Sequence, residues 1–188
     1  FLQAVPVALL VGIGYAVLRF LYLRRRRRPV QWPSEVMGLL FVCYLTGLCS
    51  LVILPANFWL HVYDGILLGW WEEMGTVFRL GEVNLVPVLV RYLQGEVTLG
   101  SWVKEMLAGN LAMFVPFGFF LPFLTKRLKR AQALLAAIVV PLLAESLQLI
   151  FGRSFDIDDL ICNFLGIVIG LLIAWPIRKA SRGWASSS

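Results

Sequence analysis

The sequence predicts an all-α membrane protein with five transmembrane helices. Hydrophobic residues make up 60% of the 188 positions and the mean hydropathy is +0.81, whereas soluble domains contain roughly 45–50% apolar residues. Several apolar runs reach about 20 residues, the length at which a helix crosses a hydrocarbon core of roughly 30 Å. The length allows one domain, so we expect residues 1–188 to form a single membrane domain.

Each predicted span is an apolar run that ends at charged residues or proline. The first stops at the arginine run Arg24–Arg28, the second stops at Pro55, and a short polar loop, Phe151–Asp158, joins the last two. On this basis we place the spans at about residues 1–23, 35–54, 105–124, 131–150 and 159–175.

Three basic clusters predict the orientation of these spans. With five spans, Arg24–Arg28, Lys126–Arg130 and Arg178–Arg182 fall on one common side. Lysine and arginine are enriched in cytoplasmic loops. We therefore expect a multi-pass protein of the bacterial cell membrane with its N-terminus outside and its C-terminus in the cytoplasm. The formal charge of +6 thus indicates membrane orientation and no nucleic-acid partner.

The linker between the second and third spans is predicted to be an extracellular, aromatic segment. Aromatic side chains of this kind settle at headgroup depth, and the linker, residues 56–102, contains Trp59, Tyr63, Trp70, Trp71, Phe78, Tyr92 and Trp102. Its apolar stretch Val83–Leu93 is too short to span, which predicts an interfacial or re-entrant helix. Asn84 is expected to cap this helix, with Pro87 in its first turn. The alternative is that the aromatic residues only anchor the linker at the membrane surface and take no part in a functional site.

Polar residues within the spans predict a site near the outer face. Glu145 lies about five residues, or ~7 Å, below the outer end of the fourth span. Asn110 and Asn163 are expected at a similar depth on the third and fifth spans, and Gln148 lies one turn above Glu145. Polar groups inside a membrane are costly and are usually functional, so these residues are predicted to form one polar layer.

An acidic loop is predicted to cover this layer. Arg153 is followed closely by Asp156, Asp158 and Asp159. Capping and the helix dipole are the structural alternative for Asp158 and Asp159, and Arg153 has the alternative role of neutralising them. Interhelical hydrogen bonding is the alternative for Asn110 and Gln148. Asp159, Asn163, Gly166 and Gly170 form one stripe along the fifth span. The two glycines in its lower half predict a face that packs closely against another helix.

The sequence indicates neither a metal site nor a particular cofactor. The carboxylates are suitable oxygen ligands for Mg²⁺ or Ca²⁺, but they lack a fixed ligand spacing. Cys43, Cys49 and Cys162 are best interpreted as small buried hydrophobic residues. His61, the single histidine, is far in sequence from Glu145 and the acidic loop, which argues against a Ser-His-Asp triad.

Several motifs together resemble the VanZ-like family. They are Asn84-Leu85-Val86-Pro87, Gly109-Asn110 with Phe114, Pro116, Gly118 and Pro122, Glu145-Ser146-Leu147-Gln148, the loop Gly152 to Asp159, and Asn163 with Gly166. The resemblance covers about residues 82–170 and departs from the usual pattern at Val88, where an aromatic is more common. It implies a link to resistance against the lipoglycopeptide antibiotic teicoplanin, and it implies no particular mechanism.

The first functional hypothesis is a binding cleft in the outer leaflet. Its ligand would be a lipid headgroup, a lipid-linked peptidoglycan precursor or the lipoglycopeptide itself. Arg153 would meet an anionic group, and Glu145, Asp156 and Asp159 would meet amines or hydroxyls. The expected ligand-binding residues are Asn84, Asn110, Glu145, Gln148, Arg153, Asp156, Asp159 and Asn163.

The second hypothesis is a membrane enzyme acting on an outer-leaflet lipid carrier or its glycan. Glu145 would be its general acid or base, and Asp156 or Asp158 would supply a second carboxylate or a metal ligand. A small transporter is the third, but the sequence has no visible internal repeat to support it. The oligomeric state is not indicated by the sequence.

Overall fold

The computed structural model describes residues 2–72, 74, 79–98, 100–125 and 128–185. It is all-α, and five of its helices are long and apolar enough to cross a membrane, as predicted. A 3₁₀ turn, Leu2–Ala4, precedes the first helix. The helices are α1 (Val5–Arg25), α2 (Trp32–Val52), α3 (Phe58–Leu68), α4 (Val88–Leu93), α5 (Ser101–Leu124), α6 (Arg130–Ile150) and α7 (Ile157–Ala185).

The observed helix ends lie within four residues of the predicted ones, except that α7 continues to Ala185, ten residues past the predicted end of the fifth span. α5 begins at Ser101, four residues before the predicted start. α7 begins at Ile157, so Asp158 and Asp159 lie in its first turn, the position that favours acidic residues. The predicted basic cluster after the third span includes Lys126 and Arg127, which lie outside the described residues.

Close packing of α5 against α7 forms the centre of the bundle. A Cβ atom added to Gly118 would collide with the carbonyl oxygen of Ile167, and one at Gly170 would collide with that of Val115. The small residues therefore let the two backbones approach directly, as the predicted stripe on the fifth span requires. Beside them, the hydroxyl of Tyr44 on α2 donates to the carbonyl of Met113 on α5 at 2.7 Å.

Contacts between helix ends define two ends of the bundle. At the first, Gln3 donates from Nε2 to Oδ1 of Asn57 at 3.2 Å, and Tyr63 donates to the carbonyl of Gln3 at 2.8 Å. We call it the loop end, since the Phe151–Asp156 loop also lies there. At the other, Arg178 donates from Nη2 to the carbonyl of Thr125 at 3.0 Å. We call this the arginine end, because the run Arg24–Arg28 lies at the same end.

The linker is more structured than the sequence suggested. It contains α3, which was not predicted, and a short strand, β1 (Val83–Asn84), that pairs in parallel with β2 (Phe155–Asp156). The predicted helix over Val83–Leu93 is therefore confined to α4. The expectation that Asn84 caps it is wrong, because Pro87 occupies the N-cap position and Asn84 lies in the strand. Parallel pairing with a distant loop cannot be detected from the sequence of the linker alone.

Candidate functional site

A buried polar layer lies near the loop end, between α6 and α7. Glu145, Asn163 and Gln148 are 0%, 1% and 3% exposed. Asn163 donates from Nδ2 to Oε1 of Glu145 at 3.2 Å, and Gln148 donates from Nε2 to the same oxygen at 3.5 Å. The structure thus brings together the carboxylate and two of the three amides that were predicted to converge. Hydrogen bonding of this kind offsets the cost of burying a carboxylate.

The second oxygen of Glu145 connects this layer to the loop above it. The backbone N–H of Asp156 donates to Oε2 of Glu145 at 3.3 Å, and the backbone N–H of Arg153 donates to the carbonyl of Gln148 at 3.0 Å. Glu145 therefore accepts hydrogen bonds from α6, from α7 and from the loop. Two segments besides its own helix, α7 and the loop, therefore hold the side chain of Glu145 in place.

Each of the three aspartates after Arg153 accepts a hydrogen bond from a different segment. Asn84 of β1 donates from Nδ2 to Asp156 at 2.8 Å. The backbone N–H of Val88, the first residue of α4, donates to Asp158 at 2.7 Å. Asn110 of α5 donates to Asp159. These contacts hold the linker and α5 against the start of α7. Asn84 and Asn110 therefore bind the aspartates and not Glu145.

Arg153 makes contacts that the sequence did not suggest. Its Nη1 atom donates to the carbonyls of Leu51 and Val52 at 2.9 and 2.5 Å, at the end of α2. These carbonyls have no partner within their own helix, and a basic side chain also interacts favourably with that end of the helix dipole. Among the described residues, the one side-chain ion pair within 4.0 Å is Arg19–Glu35. Arg153 therefore forms no direct ion pair with Asp156, Asp158 or Asp159.

A cavity of about 730 Å³ lies against this network. Charged and polar side chains of both signs share its wall with apolar ones. The lining residues are Asn84, Val88, Arg91, Val97, Val103, Met106, Asn110, Gln148, Gly152, Arg153, Ser154, Asp156, Asp158 and Asp159. The volume lies within the roughly 300–1,000 Å³ that is typical of small-molecule sites. We call it the loop-end cavity.

The predicted site residues divide into two groups around this cavity. Six of the eight expected ligand-binding residues line it. Glu145 and Asn163 do not line it and are almost completely buried beneath the loop. Oδ1 of Asn163 has no hydrogen-bond partner in the described part of the chain, so the layer keeps one acceptor that no described donor uses.

Sequence reasoning missed several residues of the wall. Arg91 and Val88 lie one turn apart on α4 and both face the cavity. Val103 and Met106 have the same spacing on α5. The i, i+3 spacing can be seen in the sequence and places each pair on one face of its helix. It does not show that α4 faces the cavity, because the position of α4 depends on the pairing of β1 with β2.

Within the described residues, no group of three or more histidine, cysteine or acidic side chains is arranged to hold a metal ion. Instead, these carboxylates accept hydrogen bonds from the protein itself. The donor is a side-chain amide at Asp159 and a backbone N–H at Asp158, and Glu145 accepts from donors of both kinds. The arrangement can accept hydrogen bonds from amines and hydroxyls at its acidic side. At its basic side, Arg91 and Arg153 can bind an anionic group.

The fold and this site define a small multi-pass helical membrane protein with a polar cavity at one end of the bundle. A model of the VanZ/LLP1 family matches residues 41–178, and the chain belongs to that family. It is thus a VanZ-like membrane protein of a family linked to antibiotic resistance. Searches of the curated proteins and of the solved structures gave no match.

Proposed function

We propose that this protein binds the polar head of an amphiphile in the outer leaflet of the bacterial cell membrane. The candidates are a membrane lipid, a lipid-linked peptidoglycan precursor and a lipoglycopeptide antibiotic. All three combine a polar head with an apolar chain. The observation that carries the proposal is the mixed wall of the loop-end cavity, where three aspartates and two arginines lie among Val88, Val97, Val103 and Met106.

The charges of the wall indicate which head would fit. Three aspartates outnumber the two arginines, Arg91 and Arg153, so an anion alone would meet more repulsion than attraction. A head that carries amine or hydroxyl donors as well as an acidic group would satisfy both signs. Glycan, peptide and zwitterionic lipid heads all meet this description. Glu145 acts in this proposal as a positioning residue, because it holds the backbone of Asp156 from below.

The proposal includes the orientation in which the loop end faces outside. Its support is the common location of the basic clusters, since Arg24–Arg28 and Arg178 lie at the opposite end of the bundle. The N-terminus would then lie outside and the C-terminus in the cytoplasm. Glycopeptide antibiotics and the precursors of wall synthesis are found outside the membrane, so the cavity would face its ligand.

The amphiphile that co-purifies with the protein tests this proposal. Lipids extracted from purified parent protein would be compared by mass spectrometry with those from Arg91→Gln. Lys104→Gln is the matched control, because Lys104 is exposed on α5 and does not line the cavity. We expect one amphiphile to be enriched with the parent and with Lys104→Gln but depleted with Arg91→Gln. Equal lipid content in all three would contradict the proposal.

A membrane enzyme is the second candidate, with carboxylates as its catalytic groups. Asp158 and Asp159 line the cavity and could reach a substrate, whereas Glu145 is separated from it by the loop. Asp158→Asn distinguishes the two, since it keeps the shape of a side chain that lines the cavity and removes its acid–base capacity. If resistance is lost in cells while binding of the amphiphile persists, binding alone does not explain the function and the enzyme is favoured.

A further inference from the structure

A second composite site lies at the arginine end, between α1 and α2. A cavity of about 520 Å³ is bounded by the end of α1, the start of α2 and the end of α5. The residues that line it include Arg19, Arg28, Gln31, Ser34, Glu35 and Phe123. We call it the arginine-end cavity. It is at the opposite end of the bundle from the loop-end cavity, so it is independent of the proposed function.

An apolar groove adjoins this cavity on the surface formed by α1 and α2. Its volume is about 240 Å³, and its lining includes Phe20, Val30, Trp32, Val36 and Leu39. The groove and the cavity share Tyr15, Arg19, Leu23 and Glu35. An apolar groove thus borders a polar cavity, and this arrangement matches the apolar chain and the polar head of an amphiphile.

The charges favour an anionic head. Arg19 is bound to Glu35 through Nε and Nη2, at 2.7 and 3.0 Å, so the pair is internally neutralised. Arg28 forms no ion pair with another described residue, so it supplies the remaining positive charge of the cavity wall, next to four further arginines at residues 24–27. Ser34 and Gln31 add neutral hydrogen-bond donors. A phosphate would find a charge-assisted donor and neutral donors in one place.

The depth of the site fits a membrane lipid. Trp32 is 72% exposed and lies at the edge of the groove, in the first turn of α2. Exposed tryptophan at the end of a spanning helix marks headgroup depth. Clusters of arginine directly after a spanning helix attract acidic lipids. The groove extends from that depth along α1 and α2, where an acyl chain would lie.

We propose that the arginine-end cavity and its groove bind one acidic phospholipid, with its phosphate at Arg28 and one acyl chain between α1 and α2. Apart from Phe123 and Leu124, the residues of both lie before residue 41, where the family match begins. The site is therefore a feature of this chain beyond the part that defines its family.

Native mass spectrometry of detergent-purified protein, titrated with phosphatidylglycerol or with phosphatidylcholine of the same chains, tests the proposal. We expect the parent to retain phosphatidylglycerol preferentially. Arg28→Gln should weaken this binding about tenfold, as expected when a charged hydrogen bond is lost. Arg26→Gln is the matched control, because it removes the same charge from the same run but does not line the cavity. It should retain binding within about twofold of the parent.

A second variant tests the groove separately from the head. Val36→Trp would narrow the groove at an exposed position without changing any charge. We expect it to weaken binding of phosphatidylglycerol as well, while glycerol 1-phosphate, which has no acyl chain, should compete poorly in the parent. Equal weakening by Arg28→Gln and Arg26→Gln would show only general surface attraction and overturn the proposal. Effective competition by glycerol 1-phosphate, or equal retention of both lipids, would overturn it too.

Discussion

Asn163 on α7 donates a hydrogen bond of 3.2 Å to Glu145 on α6, and both side chains are excluded from solvent. The contact joins two spanning helices directly beneath the loop that carries Asp156. Because the other oxygen of Glu145 holds the backbone of Asp156, a buried helix–helix contact determines the position of a residue on the cavity wall.

Replacement of Glu145 by leucine should destabilise the protein strongly. It would leave the donors of Asn163, Gln148 and the Asp156 backbone without their acceptor, at about 1–3 kcal/mol for each buried donor left unsatisfied. Thermal unfolding in detergent, followed by the monodisperse fraction, measures the effect. Glu105→Leu is the control, since Glu105 is exposed on α5. Equal stability of the two variants would contradict the role given to Glu145.

Alanine at Gly170 should separate α5 from α7. The added methyl group would collide with the backbone of Val115, which cannot move as a side chain can, so we expect a loss of about 1–3 kcal/mol. Gly109→Ala on the same pair of helices has open space around its new Cβ atom. It should leave stability unchanged or slightly higher. Thermal unfolding in detergent measures the difference. Equal stability of the two variants would contradict the close packing of α5 against α7 at Gly170.

Removal of the Asn84 side chain should release the linker without disturbing the bundle. Asn84→Ala loses the hydrogen bond to Asp156 that accompanies the pairing of β1 with β2. Hydrogen exchange in the peptide that covers residues 79–93 should become roughly tenfold faster, with the spanning helices unchanged. Gln94→Ala, at an exposed position after α4, should match the parent. Unchanged exchange in Asn84→Ala would mean that other contacts hold the linker.

Cysteine labelling should distinguish the two ends of the bundle. With Cys43, Cys49 and Cys162 replaced by alanine, Ser154→Cys is expected to react with an impermeant maleimide added to intact cells. Ser34→Cys, at the arginine end, should react only after the membrane is opened. Both serines are exposed, so accessibility within the protein does not decide the result. The reverse pattern would overturn the proposed orientation.

The sequence was sufficient for the parts of the fold that depend on local pattern. Apolar length identified the five spans, and spacing on one helix identified the stripe of Gly166 and Gly170 that packs against α5. Helical periodicity also placed Glu145 and Asn163 at one depth and Gln148 one turn above Glu145, because depth follows from the rise per residue. Asn110 was predicted at the same depth, but it donates to Asp159 rather than to Glu145.

The remaining features depend on contacts between distant segments. The pairing of Asn84 with Asp156 joins residues 72 apart, and Arg153 reaches α2 across 102 and 101 residues. Neither leaves a periodic signal in the sequence. The consequence for the site is that Arg91 enters the wall and Glu145 lies behind it, a distinction that depth alone cannot make.

The most direct test of the loop-end cavity is the binding of three probes to purified parent protein and to Val103→Trp. The probes are teicoplanin, an undecaprenyl-linked disaccharide-peptide precursor and phosphatidylethanolamine. Val103 lines the cavity, so the larger side chain would reduce its volume without changing its charge, while Val36→Trp narrows only the groove at the arginine end. We expect at least one probe to bind the parent and Val36→Trp alike and to bind Val103→Trp at least about tenfold more weakly. Equal binding of every probe to all three proteins would contradict it.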